Sequence, residues 1–552
     1  MTGSQFFAEA LQAYGTTHVF FVPTILTPAL AELDRRNITA VMTHGEKAAA
    51  YMADAYARVS QRPGVCMAQT VGAANLAAGL RDAYLACSPV LAVTGGRLPQ
   101  SKYRHVYQEI EDYPLFQPFT KLSLQLDMVE RLPDLMRTAF RAATTGCTRP
   151  VHLEIAGNTG QVIEEEAPLE PIFETGFAQY PAFRPKADSE TVQQALDALS
   201  KAERPVIVAG GGVTRSGAAA EVIQLAETRH LPVATSLNGK GTILENHPLS
   251  IGVVGLYSRA CANRIVSEAD LVFFIGSHTG SQVTYNWQVP PRGTSVIQLD
   301  IEAEELGRNY PNAVSLCGDA KAILRQLLDK GQGAPENRGW LDRVQQVVSQ
   351  WRAEFDAFRR SEAVPMRPER ICVEVQAALP ENAILVSDTG HAGIWTASHI
   401  EIHHPGQTFI RAAGSLGWGL PASLGAKCAQ PNQPVVCFTG DGGFYYHVAE
   451  LETAVRYGLN VVIVVNNNHS LNQETDIFAE AYGGKQDSGF HMWKFEKINF
   501  AQVAEAFGCL GLRVERPEEM RPALERALQS ERPTVIDAVS DIEALPPDPW
   551  SG

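Results

Sequence analysis

Asp441 and Asn468 are the two side chains in this chain whose types and setting point most directly to chemistry. Each follows a short apolar run. Val435 to Phe438 leads into Gly440-Asp441-Gly442-Gly443, and Val461 to Val465 leads into Asn466-Asn467-Asn468. Both runs are rich in β-branched residues and read as buried strands, while Val448, Leu451, Ala454 and Val455 recur between them at helical spacing. A right-handed crossover makes such strands parallel, so the residues after each emerge at the same sheet edge, where open α/β folds bind ligands. A carboxylate and an amide oxygen meeting there suit a hard cation such as Mg2+. Gly440, Gly442 and Gly443 have no Cβ atoms, so the backbone can approach a diphosphate, and the N–H groups that open the helix can donate to it. Either piece alone is ordinary loop chemistry. The pair on two strand ends reads as a cradle for a metal-bound diphosphate.

The elements that position this cradle recur along the 552 residues, a length that suggests three domains. From residue 1 to about 165 the apolar runs HVFFVP, ITAVMT, GVCMAQT, VLAVTGG and VHLEIAG alternate with helical patterns. Such alternation predicts a doubly wound parallel sheet with helices on both faces. A second α/β unit runs from 188 to about 328, opening with PVIVAGGGVTRSGAAAEVIQLAE as strand, glycine turn and helix. A third, from about 367 to 552, carries the cradle. The segments IEEEAPLEPIFETGFAQYPAFRP and DKGQGAPENRG read as linkers. The stretch GVCMAQTVGAANLAAGLRDAYLACSPVLAVTGG repeats the strand, turn, helix, strand plan of the cradle without its Asp and Asn. The fold class is therefore α/β, with three consecutive doubly wound parallel-sheet domains.

A net charge of −15 disfavours nucleic-acid backbones and anionic membranes as partners. No apolar run reaches the ~18 residues needed to cross a bilayer. The nine cysteines are odd in number, scattered and never in a Cys-x-x-Cys pair. That pattern fits buried free thiols in a reducing, cytoplasmic setting. The amino terminus lacks the basic start and apolar core of a signal peptide.

Gly-Asp-Gly, some two dozen residues and an asparagine pair after an apolar strand resemble the binding motif of thiamine diphosphate enzymes, and the surrounding wording resembles the acetolactate synthase branch. The resemblance covers all three domains, as pyrimidine, central and diphosphate domains. It implies that Asp441, Asn468 and the carbonyl of Ser470 hold Mg2+. Glu46 follows ITAVMT and precedes a run of the form Ala-Ala-x-Met-Ala-x-x-Tyr-Ala-Arg, like the family glutamate that shares a proton with the cofactor pyrimidine. That role requires a carboxyl group able to hold a proton near neutral pH. RAAGSLGWGLPASLGAK resembles the loop that bends the cofactor, with Leu416 as the wedge and the Gly414 carbonyl as an acceptor. SDTGHAGIW matches a second diphosphate loop through Gly390 and His391. TVGAAN, ending at Asn75, stands where relatives have Gly-Pro-Gly, and Tyr107-Gln108-Glu109 matches a motif whose glutamine faces the substrate. The resemblance also implies a homodimer or homotetramer with active sites between subunits.

At the substrate end the wording departs from acetolactate synthases. Pro23-Thr24-Ile25-Leu26 replaces their Gly-Gly, and LNQETDIFAEAYGG carries no tryptophan. In the central domain AGGGVTRSGA and SLNGKG resemble stretches that hold FAD or an ADP moiety. Ser277-His278-Thr279-Gly280-Ser281, however, replaces the arginine- and carboxylate-containing flavin segment. The expected activity is that of a carboligase or decarboxylase acting on a 2-oxo acid. The alternatives are a lyase of a 2-hydroxy ketone or 2-hydroxyacyl-CoA, a nicotinamide oxidoreductase and a silent binding protein. Gly210-Gly211-Gly212-Val213 fits a Gly-x-Gly-x-x-Gly turn poorly, which weighs against the oxidoreductase.

Overall fold

Runs of Val, Ile, Leu and Phe bounded by Gly, Pro or polar turns become strands buried on both faces, because helices return each crossover to alternate sides of a parallel sheet. In the computed structural model, which describes residues 1–331, 337–485 and 488–550, eighteen strands form three six-stranded sheets. Residues 332–336 of the expected second linker lie outside the described residues.

The first sheet comprises β1 (His18–Phe21), β2 (Thr39–Met42), β3 (Gly64–Ala68), β4 (Val90–Gly95), β5 (Leu122–Leu126) and β6 (Val151–Ile155). Their order is β2-β1-β3-β4-β6-β5. The central sheet comprises β7 (Pro205–Ala209), β8 (Val233–Thr235), β9 (Ser250–Val253), β10 (Leu271–Ile275), β11 (Ser295–Asp300) and β12 (Val314–Cys317), in the order β12-β11-β10-β7-β8-β9. The third comprises β13 (Ile384–Ser387), β14 (Thr408–Arg411), β15 (Val435–Gly440), β16 (Val462–Asn467), β17 (Leu510–Val514) and β18 (Thr534–Val539), in the order β14-β13-β15-β16-β18-β17. First and third sheets thus share one topology, as the repeated sequence plan suggested. The central sheet instead has the order typical of dinucleotide-binding folds.

The first and third domains share one hydrophobic core, running from Phe20, Ala50 and Leu80 through Trp418, Leu424 and Ile463. At its centre the helix Glu46–Ser60 lies against the helix Gly419–Ala429. A Cβ added to Gly425 would fall 2.1 Å from the Met52 carbonyl oxygen, so glycine is required for this approach. Trp418 is fully buried, and its Nε1 donates to Asp54 Oδ2 at 3.0 Å. Arg58 donates to both Asp54 oxygens at 2.8 and 2.6 Å, to the Arg411 carbonyl at 2.6 Å and, more weakly, to Asp82 at 3.4 Å. Its guanidinium also lies 4.7 Å from the Trp418 ring centre. Burial pushes the Asp54 carboxyl up, and the charge of Arg58 pulls it back part of the way.

A different seam joins the central and third domains. Lys240, Glu245, Arg259 and Glu401 form a buried ion network across it, with Lys240 and Arg259 also reaching the carbonyls of Ala397 and Ser398. The helix Arg338–Arg359, between the second and third α/β units, packs Trp340 and Trp351 into the core of the central domain.

Replacing Arg58 with Met keeps an apolar stem but leaves buried carboxylates without their cation. Loss of one partner from such a network costs about 3–5 kcal/mol. A urea titration should show an earlier midpoint for Arg58→Met; an unchanged midpoint would mean that the network contributes nothing to the seam.

Candidate active site

β15 and β16 end level with each other, Gly440 pairing with Asn466, so the residues that follow both strands share one edge. Asp441 opens the short helix Asp441–Tyr445 and is only 2% exposed. Its Oδ1 accepts from the Gly442 amide at 2.7 Å and its Oδ2 from the Ser470 amide at 3.0 Å. Ser470 Oγ in turn donates to Asn468 Oδ1 at 2.9 Å. The three residues assigned to the metal therefore sit in one hydrogen-bonded group.

They line a cavity of about 70 Å³ together with Gly390, His391, Leu416, Gly440, Gly442 and Gly443. A Cβ on Gly442 would lie 2.4 Å from Leu471 Cδ2, and one on Gly443 would lie 2.9 Å from Asp388 Oδ2. Gly390 has φ +69°, a backbone state that favours glycine. Two buried polar atoms beside this cavity, Asn466 Oδ1 and His391 Nδ1, have no hydrogen-bond partner. Burial pushes Asp441 up to about 7 and His391 down to about 4. A dry carboxylate beside orphaned polar atoms fits a cation and a polar ligand.

Asp388 escaped the sequence reading, which weighed only the glycine and histidine of SDTGHAGIW. It is fully buried and accepts from the amides of Thr389, Gly417 and Gly419 at 2.7, 3.1 and 3.1 Å, and from Thr439 Oγ1 at 3.2 Å. It therefore ties the ends of β13 and β15 to the loop that carries Leu416. The signal was available, since Asp388 follows β13 just as Asp441 follows β15. Gly414 does not line the cavity and stands on the exposed part of that loop. Its neighbours Ala413 and Ser415 donate their amides to Asp82 at 2.7 and 2.9 Å, so the first domain fixes the loop on both sides of Gly414.

On the first domain Glu46 begins its helix, and Asn75 Nδ2 donates to Glu46 Oε2 at 3.2 Å. A Cβ on Gly72 would fall 2.4 Å from Glu46 Oε1. Gln108 Oε1 accepts from Asn158 Nδ2 at 3.0 Å, and Asn158 also bonds Thr70 at the start of the helix that carries Asn75. The structure thus brings Glu46 to Asn75, and Gln108 to the same helix end. Among the described residues no hydrogen bond or ion pair joins Glu46 to the Asp441 cradle of its own chain.

Three family models match the chain: thiamine pyrophosphate enzyme, N-terminal TPP binding domain over residues 1–115, central domain over 192–327 and C-terminal TPP binding domain over 388–538. A protein named "Probable acetolactate synthase large subunit" from Methanocaldococcus jannaschii is 33% identical, over 100% of this chain and 94% of its own length. The chain belongs to the thiamine pyrophosphate enzyme family. The acetolactate synthase isozyme 1 large subunit of Escherichia coli is 29% identical over 98% of this chain and 94% of its own length. The acetolactate synthase large subunit of Lactococcus lactis is 28% identical over 98% and 92% respectively. As a member of this family the chain is a thiamine diphosphate-dependent enzyme.

The central domain is less suited to a nucleotide at its glycine turn. Gly210 and Gly212 spend their amides on the carbonyls of Ile275 and Gly276, and a Cβ on Gly210 would lie 2.2 Å from Gly276 O. Those glycines are explained by loop-to-loop contact. Beside them lies a cavity of about 270 Å³, lined by Arg215 and Arg411 among others. The sequence showed no basic cluster there because the two arginines belong to different domains.

The values of about 6 for Asp388 and about 7 for Asp441 exceed the ~3.9 of an unfolded aspartate. Between those limits the folded state binds more protons, so metal-free stability falls as pH rises from ~4 through 7. Melting temperatures measured across that range should show the fall, and Asp441→Asn should flatten it. An equal slope in the variant would mean that Asp441 is not the group being titrated.

Proposed function

We propose that the chain is a Mg2+-dependent carboligase that acts on a 2-oxo acid, with its active form at least a dimer. The observation that carries this reading is the convergence of Asp441, Asn468 and Ser470 on one glycine-lined cavity, in a chain related over its full length to acetolactate synthase large subunits. Asp441, the amide oxygen of Asn468 and the carbonyl of Ser470 would hold Mg2+, with Gly440, Gly442, Gly443, Gly390 and His391 around the diphosphate. Held there, thiamine diphosphate would supply an acidic ring carbon whose deprotonated form is nucleophilic toward carbonyl groups.

Leu416 would separate the two rings, and the Gly414 carbonyl would accept from the pyrimidine amino group. Glu46 would hold a proton toward the pyrimidine nitrogen, with Asn75 fixing the second oxygen of its carboxyl. Gln108 would present its amide to a substrate oxygen. The partly exposed setting of Glu46 and Gln108, away from the cradle of their own chain, supports a site completed by a second copy. In that arrangement the first domain of one copy covers the cradle of the other.

A lyase is the alternative reading, because Pro23-Thr24-Ile25-Leu26 replaces the usual Gly-Gly at the substrate end, with Pro23 and Thr24 exposed and Ile25 and Leu26 turned into the first domain's core. Products formed from pyruvate alone, set against those from benzoin or a 2-hydroxyacyl-CoA, discriminate between the two. Adding Mg2+ with thiamine diphosphate should raise the melting temperature of the wild type and leave Asp441→Asn unmoved. Glu46→Gln should keep that thermal shift while turnover falls about 100-fold or more; undiminished turnover would remove Glu46 from the mechanism.

A further inference from the structure

Cys87 and Cys147, both from the first domain, meet His278 of the central domain. One ligand atom from each lies within 4.8 Å of the other two. The cysteines are free thiols, 3% and 7% exposed. We propose that these three side chains form a binding site for a soft divalent cation of the Zn2+ kind, separate from the cradle on the third sheet.

Two thiolates and an imidazole are a ligand set that selects Zn2+ over Mg2+, and three protein ligands leave a fourth position for water. The backbones carrying the thiols are held in place. Thr148 Oγ1 donates to the Cys87 carbonyl at 2.5 Å, and Lys121 Nζ donates to that of Cys147 at 3.0 Å. Cys87 follows the helix Thr70–Leu85 at φ +54°, and Cys147 follows Gly146 at φ +56°, so each sits on a sharp, fixed turn.

Access exists from two sides. Cys87 and His278 line the cavity of about 270 Å³, and Cys147 and His278 line a second of about 50 Å³. The carboxylates of Glu302 and Glu305 lie within 4.8 Å of a His278 ring nitrogen. Arg149 holds Glu302 through two hydrogen bonds of 3.1 and 3.0 Å.

Binding converts two thiols and M2+ into a neutral bis-thiolate centre and releases two protons. The imidazole contributes a lone pair, and nothing is oxidised or reduced. The ion would fasten the first domain to the central one.

The test uses reduced, metal-free, full-length protein titrated with Co2+ as a spectroscopic substitute for Zn2+. A thiolate-to-cobalt charge-transfer band should saturate at one equivalent and be displaced by Zn2+. Cys147→Ser and His278→Ala should weaken binding by more than the ~10–100-fold that loss of an outer hydrogen-bond partner costs. Asp441→Asn should leave the band intact. On the wild type, independent of any variant, Zn2+ should protect Cys87 and Cys147 from alkylation and leave the exposed Cys317 reactive. Absence of the band, its persistence in Cys147→Ser, or equal alkylation with and without Zn2+ overturns the proposal. So does a Cys87–Cys147 disulfide that, once reduced, takes up no cobalt.

Discussion

The buried pair of carboxylates on the first domain, Asp54 and Asp82, constrains everything at the seam with the third. Neither is exposed to water, so each must find its counter-charge and donors inside the protein. Arg58, the Trp418 indole and the amides of Ala413 and Ser415 supply them. Three of those partners flank Leu416 on its loop, Ala413 and Ser415 before it and Trp418 after it. Satisfying two dry acids on one domain thereby sets the path of a site loop on another. Asp388 does the same from below, accepting the amides of Gly417 and Gly419. The loop is held between carboxylates contributed by both domains, so its shape does not depend on a ligand to define it.

What was legible in the sequence follows the strength of local patterning. Five strands of the first sheet stand out as apolar runs; β3, β4 and β6 are fully buried, β1 nearly so, and the opposite edge strand β2 buries only Val41. The sixth, Leu122–Leu126, was passed over because it lies at the sheet edge, where Ser123 and Gln125 interrupt the run and most positions are half-exposed. Asp441 and Asn468 could be paired from sequence because a strand, helix and strand crossover has one geometric outcome. Asp388 follows its strand in the same manner, but its role as an anchor for the Leu416 loop rests on donors from residues 389, 417, 419 and 439, which only the folded sheet gathers together. Asn158 is a similar case: it links Gln108 to Thr70 at a helix start, three segments far apart in sequence. The arginines of the central cavity and the Cys87, Cys147 and His278 cluster are likewise products of domain packing, with no spacing that announces them.

The first and third sheets have the same strand order, yet only the third carries acids immediately after its central strands. In the first domain the corresponding edge bears Thr70, Asn75 and Glu46. The shared topology gives two equivalent shelves that differ in side-chain chemistry. The central sheet, with its different order, offers a crevice bounded by arginines and a glycine turn in which the amides of Gly210 and Gly212 are already committed.

Gly425 against the Met52 carbonyl has a consequence for how this chain can change over evolutionary time. The helices Glu46–Ser60 and Gly419–Ala429 occupy the same place in their respective domains, each joining the second strand to the third. Their contact is therefore an internal pseudodimer made from two halves of one polypeptide. Volume gained on one side of such a contact has nowhere to go except into the other, so drift at these positions must be reciprocal. Alanine and glycine would persist there as a coupled set long after the surrounding surfaces had diverged.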